Sequence, residues 1–171
     1  MHLRQLRIGD APLMLSWMHD SSVVENLYTD FASKNITDCE NFINYANRLS
    51  SELHLAIASD SDEYMGTVSL KHVDYTNSNA EFAITIRAEA MGKGYSWFAM
   101  KKIITKAFYE LNIDSIYWCV SPLNQRAIRF YDKHAFKKTL YAPSDIRNRY
   151  SDNIDLIWYS ISKHEVQVLN P

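Results

Sequence analysis

Cysteine, glycine and long apolar runs are all scarce in this sequence of 171 residues. The two cysteines, Cys39 and Cys119, lie far apart and form no CxxC pair, which argues against a disulfide scaffold or a cysteine zinc site. No His, Cys and carboxylate cluster has metal-ligand spacing, so we expect no metal. No apolar run approaches the ~18 residues of a membrane helix, and the first residues lack the apolar stretch of a signal peptide. These absences favour a soluble, cytoplasmic protein.

Charge is nearly balanced over the whole chain but not along it. The formal net charge is -2, which excludes a strongly basic nucleic-acid binder. Residues 1–80 hold 11 acidic and 5 basic residues, whereas residues 81–171 hold 9 acidic and 13 basic residues. Either the second half binds an anion and the first half a cation, or the difference is random surface composition. The length fits one domain over residues 1–171, because ~100–200 residues is the usual size of a domain.

Hydrophobic periodicity predicts strands and helices in a mixed order. The expected strands, in chain order, are Leu3–Ile8, Leu53–Ile57, Tyr64–Val73, Phe82–Ile86, Ile116–Val120, Phe136–Tyr141 and Ile154–Ile161. One helix follows Asp10 as its N-cap, and a second begins at the capping box Thr37–Glu40. Two more helices follow Gly94 and Asn124. The β–α–β order in the middle implies one parallel crossover inside a mostly antiparallel sheet, which is an α+β fold.

Two of the four glycines lie in the tripeptide Gly92–Gly94, between a predicted strand and a predicted helix. Glycine lets the backbone approach a ligand, and the start of a helix offers unpaired N–H groups. The tripeptide is therefore either a phosphate cradle or a tight turn without a ligand. It is not a Walker A loop, which needs Ser or Thr after the lysine, and it lacks the third glycine of a dinucleotide fingerprint.

The residues around these glycines resemble the acyl-CoA-binding core of the GNAT N-acetyltransferase superfamily, in particular its RimJ/RimL-type branch, which includes spermidine N-acetyltransferases. The matching runs are residues 80–86 (AEFAITI), 91–96 (MGKGYS) and 124–136 (NQRAIRFYDKHAF). The resemblance covers nearly the whole chain. It implies the GNAT fold, a twisted and mostly antiparallel sheet with flanking helices and a β-α-β cofactor core. Glu89 and Ala135 depart from the family, which usually has Gln or Arg and Gly at these positions.

The same resemblance implies acetyl-CoA as cosubstrate and assigns the residues that contact it. Backbone groups of Ile84, Thr85 and Ile86 should meet the pantetheine arm, in a gap beside the strand Ile116–Val120. The residues expected around the pyrophosphate are Met91, Gly92, Lys93, Gly94, Tyr95 and Ser96. Asn124 either caps its helix, contacts the pantetheine arm, or does both, and Ala127 is a further expected contact.

Acetyl transfer to an amine requires a neutral amine, a donor to the oxyanion and a proton for the leaving thiolate. By resemblance Tyr131 supplies that proton; the alternative is a buried aromatic without a role in catalysis. Glu81, by resemblance, takes the amine proton through a water; the alternative is a carboxylate that pairs with Lys or Arg. His72 and His19 are rival bases, because histidine titrates near neutral pH. A direct transfer needs no nucleophilic side chain and no metal.

The acceptor pocket is expected to use the first helices together with His72. By resemblance, the family's specificity loop lies near Trp17, Met18, His19, Glu25 and Tyr28, with core packing as the alternative for Trp17 and Met18. The predicted reaction is acetyl-CoA-dependent N-acetylation of a primary amine, with an amino sugar or nucleotide-linked amino sugar as first choice. A polyamine is the second choice and a ribosomal-protein N-terminus the third, while a non-catalytic acyl-CoA-binding module is a different class. We expect a monomer or homodimer without nucleic-acid or membrane partners.

Overall fold

A seven-stranded sheet forms the centre of the computed structural model, which describes residues 1–27, 29–150 and 155–169. The strands are β1 (His2–Gln5), β2 (Leu53–Ala58), β3 (Tyr64–Asp74), β4 (Asn79–Ile86), β5 (Ser115–Val120), β6 (Lys137–Lys138) and β7 (Ile157–Ser162). They lie in the order β1-β2-β3-β4-β5-β7-β6, and only the β4–β5 pair is parallel. The predicted mixed sheet with one parallel crossover is confirmed.

Helices cover both faces of the sheet. They are α1 (Ala11–Met18), α2 (Ser21–Val24), α3 (Ile36–Ala46), α4 (Tyr95–Tyr109), α5 (Gln125–Lys133) and α6 (Ser144–Arg147). Short 3-10 turns span Ile8–Asp10, Ala88–Ala90, Asn148–Tyr150 and Lys163–Leu169. One apolar cluster joins α1 and α3 to Ala56 and Tyr64, and a larger one joins α4 and α5 to Phe82 and Trp118. Within the described ranges, no helix combines the length and the apolar character needed to cross a membrane.

The first strand and the capping of the first two predicted helices differ from the expectation, although α1 begins directly after Asp10 as predicted. β1 ends at Gln5 because the Asp10 carboxylate accepts from the backbone N–H of Arg7 at 2.9 Å and pairs with Arg4 at 2.7 Å. These contacts coil residues 8–10, so the Asp10 side chain does not cap α1. The capping box of α3 consists of Asn35 and Asp38 instead of Thr37 and Glu40. Asn, Asp and Thr all cap helices well, and sequence alone does not decide which of two adjacent candidates is used.

The last predicted strands are shorter than expected. β6 contains only Lys137–Lys138 of the predicted Phe136–Tyr141, and β7 covers Ile157–Ser162. Residue Ile154, where the last strand was expected to begin, lies outside the described residues. The helices α2 and α6 were not predicted, because four residues are too few to display a helical period.

Gly66 lets β3 lie close against the second half of β4. The two strands stay in register from Gly66 opposite Ile86 to Lys71 opposite Glu81. A Cβ atom at Gly66 would lie 2.4 Å from the carbonyl oxygen of Thr85 and 2.8 Å from the Cα of Ile86. Since both neighbours are backbone atoms, no side-chain rotation could make room for it.

We expect Gly66→Ala to lower the free energy of unfolding by about 2–3 kcal/mol, because the added methyl group must push two paired strands apart. Gly9→Ala is the matched control, since a Cβ there meets no atom within 4 Å, and it should change the free energy by less than about 0.5 kcal/mol. Urea denaturation measures both. Equal stability of the two variants would contradict the assigned close approach.

Candidate functional site

The pairing between β4 and β5 ends partway along both strands. Their parallel pairing comprises Asn79 opposite Ser115, Ala80 opposite Ile116 and Glu81 opposite Tyr117. Both strands continue beyond these pairs, β4 to Ile86 and β5 to Val120. A gap therefore opens between them directly after Glu81.

Every second residue of β4 directs its backbone N–H and C=O groups into this gap. The carbonyl of Ser78 accepts from the backbone of Ser115 on the β5 side, and the N–H of Arg87 donates to Met65 on the β3 side. Because backbone groups alternate between the two edges of a strand, Ile84 and Ile86 direct theirs into the gap. Within the described residues, Ile84 and Ile86 therefore lie with free backbone groups on the edge where the pantetheine arm is expected. Thr85 requires a correction, since its N–H and C=O face β3 and belong to that ladder.

The glycine tripeptide follows β4 and leads into α4. Gly92 and Gly94 have φ angles of 74° and 86°, which L side chains rarely adopt. A Cβ at Gly92 would meet no atom within 4 Å, and one at Gly94 would meet only the end of Met1 at 3.9 Å. The space over the loop is therefore open. Lys93 lies in the loop, and Tyr95 and Ser96 begin α4, where the first N–H groups lack partners within a helix.

A cation from α5 also reaches this loop. The guanidinium of Arg126 contacts the sulfur of Met91. Sequence reasoning missed Arg126 as a site residue, because its closeness to Met91 depends on how α5 packs beside the loop. Glu89 does not oppose this charge, as its side chain is 66% exposed and lies 3.5 Å from the guanidinium of Arg87. Open space, helix N–H groups and a guanidinium together fit the pyrophosphate of acetyl-CoA.

Asn124 caps α5, which is one of the two roles expected for it. Its side-chain oxygen accepts from the backbone N–H of Ala127 at 3.1 Å. The N–H of Ala127 is thereby occupied. Ala127 can therefore meet a cosubstrate only through its methyl group or its carbonyl.

Tyr131 lies against β5 where the gap begins. Its ring centroid is 5.4 Å from that of Trp118, the first β5 residue beyond the pairing with β4. Burial raises the pKa of Tyr131 above its usual range, and the nearby thiol of Cys119 raises it further. Among the described residues, the Tyr131 hydroxyl has no hydrogen-bond partner. The side chain is thus a protonated donor whose proton is not committed elsewhere.

Glu81 is buried at the point where the strands part. It is 2% exposed, and its Oε1 lies 2.7 Å from the ammonium of Lys71 and accepts from the hydroxyl of Tyr150. Within the described part of the chain, its Oε2 accepts no hydrogen bond, although Nε2 of His72 lies 3.6 Å away. Glu81 therefore pairs with a lysine through one oxygen, as the alternative to a catalytic role predicts. Its other oxygen is able to accept a hydrogen bond from an amine or a water.

The thiol of Cys119 lies in the same region but is poorly suited to act as a nucleophile. Burial, followed by the negative charge of Glu81, raises the pKa of Cys119 to about 12. The thiolate is the reactive form of cysteine, and at neutral pH this thiol is protonated. Cys119 is therefore poorly suited to form an acyl-cysteine intermediate.

The residues expected in the acceptor pocket fall into two groups. Trp17 is buried and donates to the Tyr64 hydroxyl at 3.1 Å, which agrees with its alternative role in core packing. His19 contacts the carbonyl of Lys34 at 2.8 Å, and Glu25 accepts from the side chain of Asn26. Among the described residues these side chains make no contact with Glu81, and Tyr28 lies outside those residues.

His72, by contrast, lies beside Glu81. Other residues near Glu81 were missed by sequence reasoning. Lys71 lies opposite Glu81 in the β3–β4 register, so an exact strand alignment could have found it. Tyr150 arrives from the 3-10 turn after α6, 69 positions along the chain, and no local signal marks it. Glu52 lies on the far side of His72, with its Oε1 3.4 Å from Nδ1 of the imidazole.

Comparison with known proteins supports the same assignment. Residues 1–137 match the family described as the acetyltransferase (GNAT) domain. The uncharacterized N-acetyltransferase p20 of Bacillus licheniformis is 26% identical over 95% of this chain and 93% of its own. A spermidine N(1)-acetyltransferase of Vibrio cholerae is 23% identical over 88% and 87% of the two chains.

The fold also matches solved structures. The crystal structure of spermidine N-acetyltransferase from Vibrio cholerae in complex with CoA and spermine superposes with a TM-score of 0.81 at 19% identity, covering 97% of each chain. The parted strands, the open glycine loop and the family match lead to one conclusion. This chain belongs to the GNAT acetyltransferases and is an N-acetyltransferase that uses acetyl-CoA as its cosubstrate.

Proposed function

We propose that this enzyme acetylates a primary amino group of a small aliphatic polyamine, with spermidine as the representative acceptor. The observation that carries the proposal is the buried Glu81, which presents an unoccupied carboxylate oxygen where β4 and β5 separate. A second carboxylate, Glu52, lies on the other side of His72. Two carboxylates offer partners for ammonium groups, although Lys71 already pairs with Oε1 of Glu81. Relatives of this chain are named for spermidine. An amino sugar, the first choice from sequence alone, becomes the second.

Proton uptake and proton donation are assigned to residues on opposite faces of the sheet. Glu81 shares its face with Lys71, whereas Phe82 and Trp118 point to the opposite face, where Tyr131 packs. Bound acetyl-CoA supplies an activated acetyl thioester. Oε2 of Glu81 takes the proton of the amine on one side of the gap, directly or through a water. Tyr131 holds a proton at its hydroxyl on the other side, available to the leaving sulfur.

The backbone positions the reactants for this exchange. The N–H and C=O groups of Ile84 and Ile86 face the gap, where an extended pantetheine arm can pair with them as an added strand would. The first-turn N–H groups of α4 and the guanidinium of Arg126 complete an anion site at the far end of the gap. Because these groups are fixed, binding also orients the reactants, and this lowers the entropic part of the activation barrier.

A panel of amines tests the acceptor. With acetyl-CoA held at saturation, we expect kcat/KM for spermidine and spermine to exceed that for glucosamine and for an N-terminal peptide by about tenfold or more, because a second ammonium gains from nearby carboxylates. Release of free thiol measures the rate. A higher kcat/KM for the amino sugar than for either polyamine would overturn the assignment.

Tyr131→Phe tests the proton donor. Removal of one hydroxyl should lower kcat by about 10²–10⁴-fold while acetyl-CoA still binds, because general acid catalysis has about this value. Tyr159→Phe is the matched control: Tyr159 packs 5.0 Å from Tyr131, and its hydroxyl donates to Asp132 at 2.9 Å. Kinetics and thermal melting are measured together. A stable Tyr131→Phe enzyme with near-normal kcat would refute the role.

Gly94→Val tests the phosphate cradle. Because Gly94 has a φ of 86°, a β-branched residue there must distort the start of α4, and we expect CoA to bind at least about tenfold more weakly. Gly9→Val, the same change at a position with no atom within 4 Å of a Cβ, should leave affinity unchanged. Calorimetry with CoA provides the measurement. Equal affinity of a folded Gly94→Val protein would exclude a cradle at this loop.

A further inference from the structure

A β-bulge places His72 between two carboxylates. The register of β3 against β4 shifts between Lys71 and Asp74, and His72 adopts a φ of 51° within this shift. A positive φ is uncommon for a residue with a side chain, and such strain tends to persist at functional positions. Bulges also redirect side chains next to active sites. Here the bulge turns the imidazole toward Glu81 on one side and Glu52 on the other.

The contacts of the imidazole form a chain of groups that can exchange protons. Nε2 of His72 lies 3.6 Å from Oε2 of Glu81, and Nδ1 lies 3.4 Å from Oε1 of Glu52. Both are ion-pair distances longer than an ordinary hydrogen bond, so the imidazole must rotate for either nitrogen to form one. Oε2 of Glu52 is held at 2.9 Å by His54, whose other nitrogen lies 2.8 Å from the hydroxyl of Ser69. Glu52 is thus fixed through both oxygens.

The chain of groups ends at a surface cleft. Glu52 lines a cleft of about 170 Å³ together with Leu49, Tyr75 and Lys106. Tyr75 is exposed at its rim, and the side chain of Glu52 is 18% exposed. Protons released at Glu52 therefore have access to solvent without crossing the gap between β4 and β5.

We propose that His72 and Glu52 form a proton relay, which carries the proton taken up by Glu81 to the cleft beside Glu52. The relay rests on the proposed role of Glu81 as the base. The O–H bond at Oε2 of Glu81 breaks as an N–H bond forms at Nε2 of His72. The Nδ1–H bond then breaks toward Glu52, and a water in the cleft takes that proton as hydronium. The imidazole regains its starting tautomer when the ring rotates, so that water takes the proton from Nε2 and another water gives one to Nδ1; the side chain is 26% exposed.

The charges around His72 keep it ready to accept a proton. Burial lowers the pKa of His72, and the cations Arg149 and Lys71 lower it further, while Glu81 and Glu52 oppose them. Since the net shift is downward, the free imidazole is neutral at neutral pH. Burial raises the pKa of Glu52, but hydrogen bonds from His54 and the His72 backbone outweigh it and leave the pKa below its usual range. Glu52 therefore starts as a carboxylate.

Titration of His72 by NMR tests the coupling without any substrate. Glu52→Gln and Glu81→Gln should each lower the pKa of His72 by about one pH unit, because each removes a negative charge beside the imidazole. Asp74→Asn is the control, since Asp74 lies on the same strand but is occupied by the turn at Thr76 and Asn77. Its effect should be within about 0.2 pH unit. An unchanged His72 titration in Glu52→Gln would overturn the relay.

His72→Gly tests the relay in catalysis. Glycine accepts the φ of 51° without strain, and it leaves a space the size of an imidazole ring. We expect kcat to fall about 10–100-fold with the KM for acetyl-CoA unchanged, and added imidazole to restore kcat in proportion to its neutral form. Wild-type enzyme should gain nothing from imidazole. A purely structural His72 predicts no rescue, and that result would overturn the relay.

These outcomes are separable from failure of the proposed function. If spermidine is a poor acceptor, the polyamine assignment is overturned. The rescue of His72→Gly by imidazole can still be measured with whichever amine the wild-type enzyme acetylates. A normal kcat in Glu81→Gln would exclude Glu81 as the base and the relay with it. Normal acetylation, a defective Glu81→Gln variant and no imidazole rescue would exclude the relay alone.

Discussion

The parallel contact between β4 and β5 is limited to three residue pairs, and the rest of the site depends on this limit. If the pairing continued to Ile86, the N–H and C=O groups that face the gap would be consumed within the sheet. A backbone edge left unpaired inside a protein is costly unless something bonds to it. An extended cosubstrate arm meets that requirement, which makes the opening in the sheet both a binding site and a source of alignment. Gly66 supports the other edge of β4 by allowing β3 to approach it closely.

The charge at the end of this pairing follows from the same limit. Glu81 is almost fully buried, and a buried carboxylate is tolerable only when cations or donors surround it. Lys71 and Tyr150 supply these for one oxygen, and the other faces His72. The arrangement keeps this carboxylate out of bulk water at the point where β4 and β5 separate. The bulge of β3, where His72 has a φ of 51°, places the histidine beside this oxygen.

Much of the site was within reach of sequence reasoning. The tripeptide Gly92–Gly94 identified the loop, since only glycine adopts its backbone angles readily, and the run 124–136 identified the helix with Tyr131. The fold class followed from the change of period along the chain. Asp10 precedes α1 as predicted, but its carboxylate accepts from Arg4 and from the backbone N–H of Arg7 and therefore does not cap the helix. The prediction was wrong for the capping box of α3, because several residues of equal capping ability stand side by side there. The short helices gave no periodic signal at all.

The sequence by itself determined the family, the order of the elements and the conformation of the glycine loop, because these depend on local residue types and on motifs a few residues long. Tertiary structure alone decided which backbone groups of β4 face the gap, since that requires the pairing partners on both edges. It also brought Tyr150 and His72 to Glu81, Glu52 to His72, and Arg126 to the loop. Contacts between residues distant in sequence are set by the packing of whole strands and helices, and no local pattern records them.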